Sequence, residues 1–145
     1  MPMLRRTGVL LLSATLMTAG GATAAQAQSS QATGVTTKAG VKKKAGAKNR
    51  AIARAMVTKR GWTKAQYRCL VKLWARESGW NHRAANGSSG AYGIPQALPG
   101  SKMATKGRDW RTNPRTQIRW GLGYIKQRYG TPCGAWAHFQ SRHWY

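Results

Sequence analysis

The chain carries one glutamate, Glu77, and one aspartate, Asp109, against 25 lysines and arginines. Any chemistry that needs a carboxyl group has only these two to draw on. Glu77 lies in Leu73-Trp74-Ala75-Arg76-Glu77-Ser78-Gly79-Trp80-Asn81, where a helical pattern runs into a loop rich in Gly, Ser and Asn. The negative end of a helix and an apolar neighbourhood both disfavour a charged carboxylate. Both raise its pKa toward the range in which a general acid works. Arg76 or Arg83 nearby would lower it, and the plain alternative is a helix-end acid paired with arginine.

Breaking a glycosidic bond with two carboxylates takes an acid and a second group as base or nucleophile. The second group here can only be Asp109, in Arg108-Asp109-Trp110-Arg111, where it is expected to pair with its neighbours or cap a turn. That leaves a mechanism with one carboxyl group. Glu77 would protonate the leaving oxygen and later deprotonate an attacking hydroxyl supplied by the substrate itself. Cys69, Cys133, His138 and His143 lack a diagnostic zinc spacing, so no metal site is expected and no cofactor is called for. The three histidines read as surface or packing residues.

The elements that must hold Glu77 are helices. Ala51, Ile52, Ala55 and Met56 recur at helical spacing from about Asn49, and Gly61 stops that helix. Thr63-Lys64-Ala65-Gln66 is a capping box, with Gln66 reaching back to the start. Tyr67, Leu70, Val71 and Trp74 form one apolar face of a helix over 63–77, which Gly79 ends. Asn113-Pro114 starts a helix to 129, with Ile118, Leu122, Ile125 and Tyr129 inward and Gly121 permitting a close helix contact. Thr131-Pro132 starts a last helix over 132–140, carrying Cys133, Trp136, Ala137 and Gln140. No β alternation is visible. The expected fold is a small all-α domain.

Residues 1–27 read as a signal peptide. Arg5 and Arg6 precede the apolar run Val9–Met17, and Ala25-Gln26-Ala27 fits a small-x-small cleavage site. No further apolar stretch reaches membrane length, so no transmembrane segment is expected. The product would be secreted, extracellular or associated with a cell wall. In that oxidising setting Cys69 and Cys133 read as one disulfide, stapling the last helix to the Glu77 helix. Residues 28–48 read as a basic flexible tether, with Lys42-Lys43-Lys44 and no larger aliphatics beyond Val35 and Val41. Residues 49–145 are the domain, expected to act as a monomer.

The formal net charge of +23 draws such a chain to polyanions. Candidates outside a cell are anionic cell-wall polymers, acidic lipids and nucleic acid. No zinc finger, RNA-binding signature or aromatic sheet supports a specific nucleic-acid role.

Glu77-Ser78-Gly79-Trp80-Asn81 resembles the catalytic Glu-Ser motif of soluble lytic transglycosylases and goose-type lysozyme relatives. Ser88-Ser89-Gly90-Ala91-Tyr92-Gly93-Ile94-Pro95-Gln96 is similar to their Gly-hydrophobic-x-Gln segment. Asn113-Pro114 through Ile125, then Tyr129-Gly130 and Ala135-Trp136, resembles secreted actinobacterial members of this lysozyme-like superfamily, a branch that also looks related to resuscitation-promoting-factor domains. The resemblance covers about residues 50–145. It implies a lysozyme-like fold, Glu77 as catalytic acid/base and peptidoglycan glycan strands as substrate. The bond cut would join N-acetylmuramic acid to N-acetylglucosamine, with a 1,6-anhydro end as product. Ser88, Gly93, Ile94 and Gln96 would shape the substrate cleft, with Tyr92 and Tyr124 as further groove residues. Two departures bear on transglycosylation as against hydrolysis: Pro95 stands where Met is usual, and no Tyr-Asn motif follows the long helix.

Composition and position assign Trp74, Trp120 and Trp136 to the core, and Trp80 and Trp110 to loops where they could stack on sugar rings. Two other readings remain open in the sequence. One is a hydrolytic muramidase using Glu77 with Asp109. The other is a non-catalytic cationic module that binds cell-wall or other polyanions.

Overall fold

The computed structural model describes residues 38–145. The expected leader and residues 28–37 of the expected tether lie outside them. Four α-helices follow in order: α1 Lys38–Lys59, α2 Lys64–Ser78, α3 Pro114–Tyr129 and α4 Pro132–Arg142. A 3-10 helix, Gly100–Lys106, sits between α2 and α3. Among the described residues the β pairing consists of two isolated antiparallel bridges, Ala85 with Tyr92 and Tyr92 with Ala97. The architecture is the expected all-α one, and no helix among the described residues is long and apolar enough to cross a membrane.

The helix starts follow the sequence. Thr63, Asn113 and Thr131 are extended residues whose side chains accept from the first turns of α2, α3 and α4. Gln66 departs from its expected role. It does not reach back to Thr63; its Oε1 instead accepts from the Cys133 amide at 2.8 Å, joining the starts of α2 and α4. The Cys69–Cys133 disulfide fastens the same two helices. Its closed loop spans a sequence separation of 64 residues, for which the chain-entropy model gives about 4 kcal/mol.

The expected boundary at Asn49 is not a structural one, because α1 begins at Lys38. The segment 38–48 has no proline and is rich in Ala and Lys, both good helix formers, so α1 continues through it. Its lysines stay exposed, but one face does pack. Gly46 is buried, and a Cβ there would stand 3.4 Å from the Gly79 carbonyl oxygen and 3.6 Å from Trp80 Cβ. Asn49, 3% exposed, donates to the Trp80 carbonyl at 2.9 Å. Gly46, within the expected tether, and Asn49, the first residue of the expected domain, therefore pack together on the loop that follows Glu77.

The core joins Ala53 and Val57 of α1, Leu70, Leu73 and Trp74 of α2, Ile118, Leu122 and Ile125 of α3, and Ala135 of α4. Trp74 is its centre, edge-on to Trp80 with ring centroids 5.2 Å apart. Gly121 makes room for it. A Cβ at that position would come within 2.7 Å of the Trp74 ring and 3.0 Å of Pro95. In α4 the buried residues are Pro132 and Ala135, while Ala137 and Gln140 are exposed.

Candidate active site

Glu77 stands on the last turn of α2, half-buried. The helix ends at Gly79, whose left-handed backbone (φ 60°) lets its N–H bond back to the Ala75 carbonyl. Trp80 continues left-handed at φ 64°, a costly conformation for a bulky side chain. Three hydrogen bonds hold it there. Its amide donates to the Trp74 carbonyl at 3.3 Å, its indole N–H to the Val71 carbonyl at 3.2 Å, and its carbonyl accepts from Asn49. Trp80 is 0% exposed and belongs to the core, so it is not free to stack on a sugar as expected. Its ring is the wedge that fixes the chain's exit from Glu77.

Burial pushes the Glu77 carboxyl up to about 7. Among the described residues Glu77 has no ion-pair or hydrogen-bond partner, so neither Arg76 nor Arg83 takes it up. Next to it, the Ser78 hydroxyl donates to the Ile94 carbonyl at 2.9 Å. This ties the Glu77 helix end to the loop Tyr92-Gly93-Ile94-Pro95-Gln96.

Gln117 of α3 organises that loop. It is 0% exposed, and every hydrogen bond it makes is to backbone. Its Oε1 accepts from the Ile94 amide at 2.9 Å, and its Nε2 donates to the carbonyls of His82 and Trp110, both at 2.8 Å. Gly93 must be glycine. Its φ is +77°, and a Cβ would stand 2.5 Å from Gln117 Oε1. Ile94 is itself fully buried, so it shapes the site through its backbone rather than by presenting a side chain. Gln96, left-handed at φ 49°, donates to the Gly93 carbonyl at 2.9 Å and more weakly to that of Ala84 at 3.4 Å. A strained, over-determined residue of this kind is common at functional sites.

A cleft runs beside this loop. One depression of about 210 Å³ is walled by Pro95, Gln96, Ala97 and Leu98 on one side and by Trp120, Tyr124 and Tyr145 on the other, with Lys102 at its edge. A second, of about 200 Å³, continues past Trp120 and Tyr124 to Lys106 and Gln127. Trp120 and Tyr124 stack with centroids 5.4 Å apart, giving a flat aromatic wall. Trp120 thus lines the cleft and is not core as expected.

Glu77 does not line either depression, and Tyr145 connects the two. Its hydroxyl accepts from the Trp74 indole at 2.7 Å and donates to the Pro95 carbonyl at 3.0 Å. Burial first, and the Glu77 charge second, raise the Tyr145 phenol above its ordinary range. Tyr145 therefore ties the helix that carries Glu77 to the cleft wall.

The remaining expected residues fall outside this group. Ser88 is exposed, its hydroxyl held at 2.7 Å by the Asn86 side chain within a turn. Tyr92 and Trp110 meet edge-on at 5.4 Å, half-buried, and the Tyr92 hydroxyl donates to the Arg111 carbonyl at 3.0 Å. Asp109 is exposed and caps a turn. One oxygen accepts from Asn113 Nδ2 at 2.6 Å, the other from Thr116 Oγ1 at 2.7 Å. Those two bonds hold its pKa below the usual value. Cys69 and Cys133 are bonded to each other and cannot serve as metal ligands.

The segment that matches a family model carries most of these groups. Residues 57–141 match the model described as the transglycosylase SLT domain. The chain belongs to that family. No curated protein and no solved structure matches it. Transglycosylase SLT domains are lytic transglycosylases acting on peptidoglycan, and this chain is an enzyme of that kind. The matched span opens inside α1 and takes in Glu77, Gln117 and the cleft wall up to Tyr124, while Tyr145 follows it. Tyr145 and Gln117 were not singled out from the sequence. Gln117 had a signal: an uncharged polar residue adjoining the buried stripe that starts at Ile118. Tyr145 had none, because its place depends on how the chain returns after α4.

Proposed function

We propose that this transglycosylase SLT domain cuts the glycan strand of peptidoglycan between N-acetylmuramic acid and N-acetylglucosamine, with Glu77 as both acid and base. Protonated Glu77 gives its proton to the glycosidic oxygen as the bond to the muramic anomeric carbon breaks. The N-acetylglucosamine hydroxyl leaves, and positive charge builds on the muramic ring. The muramic C6 hydroxyl then attacks the anomeric carbon, and the Glu77 carboxylate takes its proton. The product is a 1,6-anhydro end. The acid is restored, and no water is consumed.

The observation that carries this reading is the contrast between the two carboxyl groups. Glu77 is half-buried, unpaired among the described residues, and pushed up to about 7, so near neutral pH it is poised to give and recover a proton. Asp109 is exposed, has both oxygens engaged, and is held in its charged form. The cleft supports the same reading. Its flat aromatic wall suits sugar faces, and its other wall is fixed to the Glu77 helix through Ser78 and Tyr145. Export by the leader would deliver the enzyme to the wall, where it would act as a monomer.

Reaction in heavy-oxygen water tests the chemistry. The new muramic ends should carry no label, because the C6 hydroxyl and not water captures the anomeric carbon. Labelled reducing ends would identify a hydrolase.

A further inference from the structure

A second groove, sharing no lining residue with the catalytic cleft, runs between α1 and α3. One part has a volume of about 570 Å³ and is lined by Ala51, Ile52, Ala55 and Met56, with Lys59, Arg60, Arg115 and Arg119 around them. The other, about 490 Å³, shares Ala51, Ile52 and Arg115 and extends the groove along α1 to Lys48. The floor of the first part is aliphatic and its rim cationic on both sides, while Asn49 and His82 join the lining of the second. Along α1 the rim from Lys48 to Lys59 covers about 16 Å.

Like charges are crowded here. Burial, and then the Arg119 charge, pull the Arg60 guanidinium below its ordinary value. Neither of the chain's two acids lines the groove. Asp109 lies outside its lining, and attraction to Arg119 is the smallest influence on the Asp109 pKa. Arg119 also spends one donor on the Lys106 carbonyl at 3.2 Å. The groove thus holds a concentrated positive charge that the protein does not neutralise.

We propose that the α1–α3 groove is a binding site for a linear phosphodiester polymer of small polyols, seated along α1 with its phosphates on Lys48, Lys59, Arg60, Arg115 and Arg119. The chemistry of the lining selects this occupant. Arginine and lysine on two facing helices suit an anion repeated along a chain. The floor between α1 and α3 offers mainly methyl and thioether groups, and the one aromatic ring in the groove's lining is His82, at the Lys48 end. Binding of single-stranded nucleic acid uses a succession of stacked aromatics, which a single imidazole at one end does not provide. A polyol backbone needs only a smooth apolar track. Such a site would hold the enzyme on a phosphate-bearing wall without occupying the cleft.

The test uses the full chain and synthetic poly(glycerol phosphate), with binding followed by fluorescence anisotropy from low to moderate salt. Arg60→Gln with Arg115→Gln should weaken binding at least about tenfold and flatten the salt dependence by roughly 1.4 in log–log slope, the share of two phosphate contacts. The control is Arg68→Gln with Lys72→Gln, which removes the same charge from an exposed face of α2. It should change binding less than about threefold. Thermal melts of both variants establish that they fold. A charge-keeping Arg60→Lys, Arg115→Lys pair should restore most of the binding. Cleavage of phosphate-free glycan strands should be unchanged in the groove variants, which separates failure at this groove from failure of the catalytic reading. Equal losses in the groove and control variants would reduce the effect to net charge and overturn the site. Tighter binding to single-stranded nucleic acid or to anionic lipid vesicles than to the polyol phosphate would overturn the occupant.

Discussion

The hydroxyl of Ser78 donates to the carbonyl of Ile94 at 2.9 Å, so the residue after Glu77 is bonded to the centre of the cleft loop. This bond fixes the end of the Glu77 helix against the wall proposed to hold the scissile sugars. Proton transfer is sensitive to such spacing. Ser78→Ala should therefore lower the cleavage rate by about tenfold or more while costing only about 1 kcal/mol of stability. Turnover on purified glycan strands and a urea titration check the two numbers together. An unchanged rate would show that the loop keeps its position without this bond.

The Glu77 carboxyl imposes a pH dependence of known sign. Its pKa rises from 4.5 to about 7 on folding, so the folded state binds the proton more tightly across that window. The Glu77 contribution to stability falls as pH rises through it and levels off above pH 7. Glu77→Gln removes this slope. The variant should gain on the wild type between pH 5 and 8, by about 2 kcal/mol at the upper end, or several degrees in melting temperature. Asp109, with its lowered pKa, affects stability only at more acid pH, and the opposite slope from His82, whose pKa burial lowers, is common to both proteins. Melting curves at half-unit pH steps give the test, and a constant difference between the two proteins would contradict the assignment. The rate of strand cleavage by wild type should fall above pH 7, where the acid is no longer protonated.

The legible parts of the molecule were those with local causes. Caps at Thr63, Asn113 and Thr131, and glycines at 79 and 130, placed three helices to within about two residues. The end of α2 put Glu77 in a half-buried place, as its neighbours required. What the sequence hid was long-range. Gln66 serves a helix far along the chain. Trp80 reads as a loop aromatic until α1 is known to cover it. Asn49 and Gly46 matter because α1 crosses the turn at Gly79–Trp80. Trp120 lies next to a buried stripe, and only the position of the cleft shows that it faces outward. Ser88 is drawn into its own turn by Asn86, a local bond that competes with any role in the cleft.

Gln117 has no local reason to be polar, and its three bonds to separate loops supply one. Gln117→Leu keeps the volume roughly but leaves the Ile94 amide and the His82 and Trp110 carbonyls without this partner. The expected loss is about 3 kcal/mol or more, with cleavage activity falling further than the folded fraction. Denaturant unfolding and activity measured on the same preparations would separate these effects. A variant of full stability would mean that water or a neighbouring group replaces the amide.

Tyr145 bridges the Trp74 indole, on the helix that carries Glu77, and the Pro95 carbonyl. Tyr145→Phe keeps the ring against Tyr124 and removes both bonds. Stability should drop by about 1–3 kcal/mol. The catalytic rate should fall by about tenfold, with less change in KM, because the wall shifts relative to the acid. Steady-state kinetics on defined glycan oligomers check this division. A loss confined to KM would make Tyr145 a substrate-contact residue only.

The central claim is that one carboxyl group, Glu77, breaks the glycan strand and that the substrate supplies the nucleophile. Mass spectrometry of muramic ends released from purified peptidoglycan tests it most directly, with wild type, Glu77→Gln and Asp109→Asn compared side by side. Wild type and Asp109→Asn should release ends lighter by one water, and a folded Glu77→Gln should release no new ends. Reducing muramic ends from wild type, or cleavage that persists in Glu77→Gln, would contradict the claim.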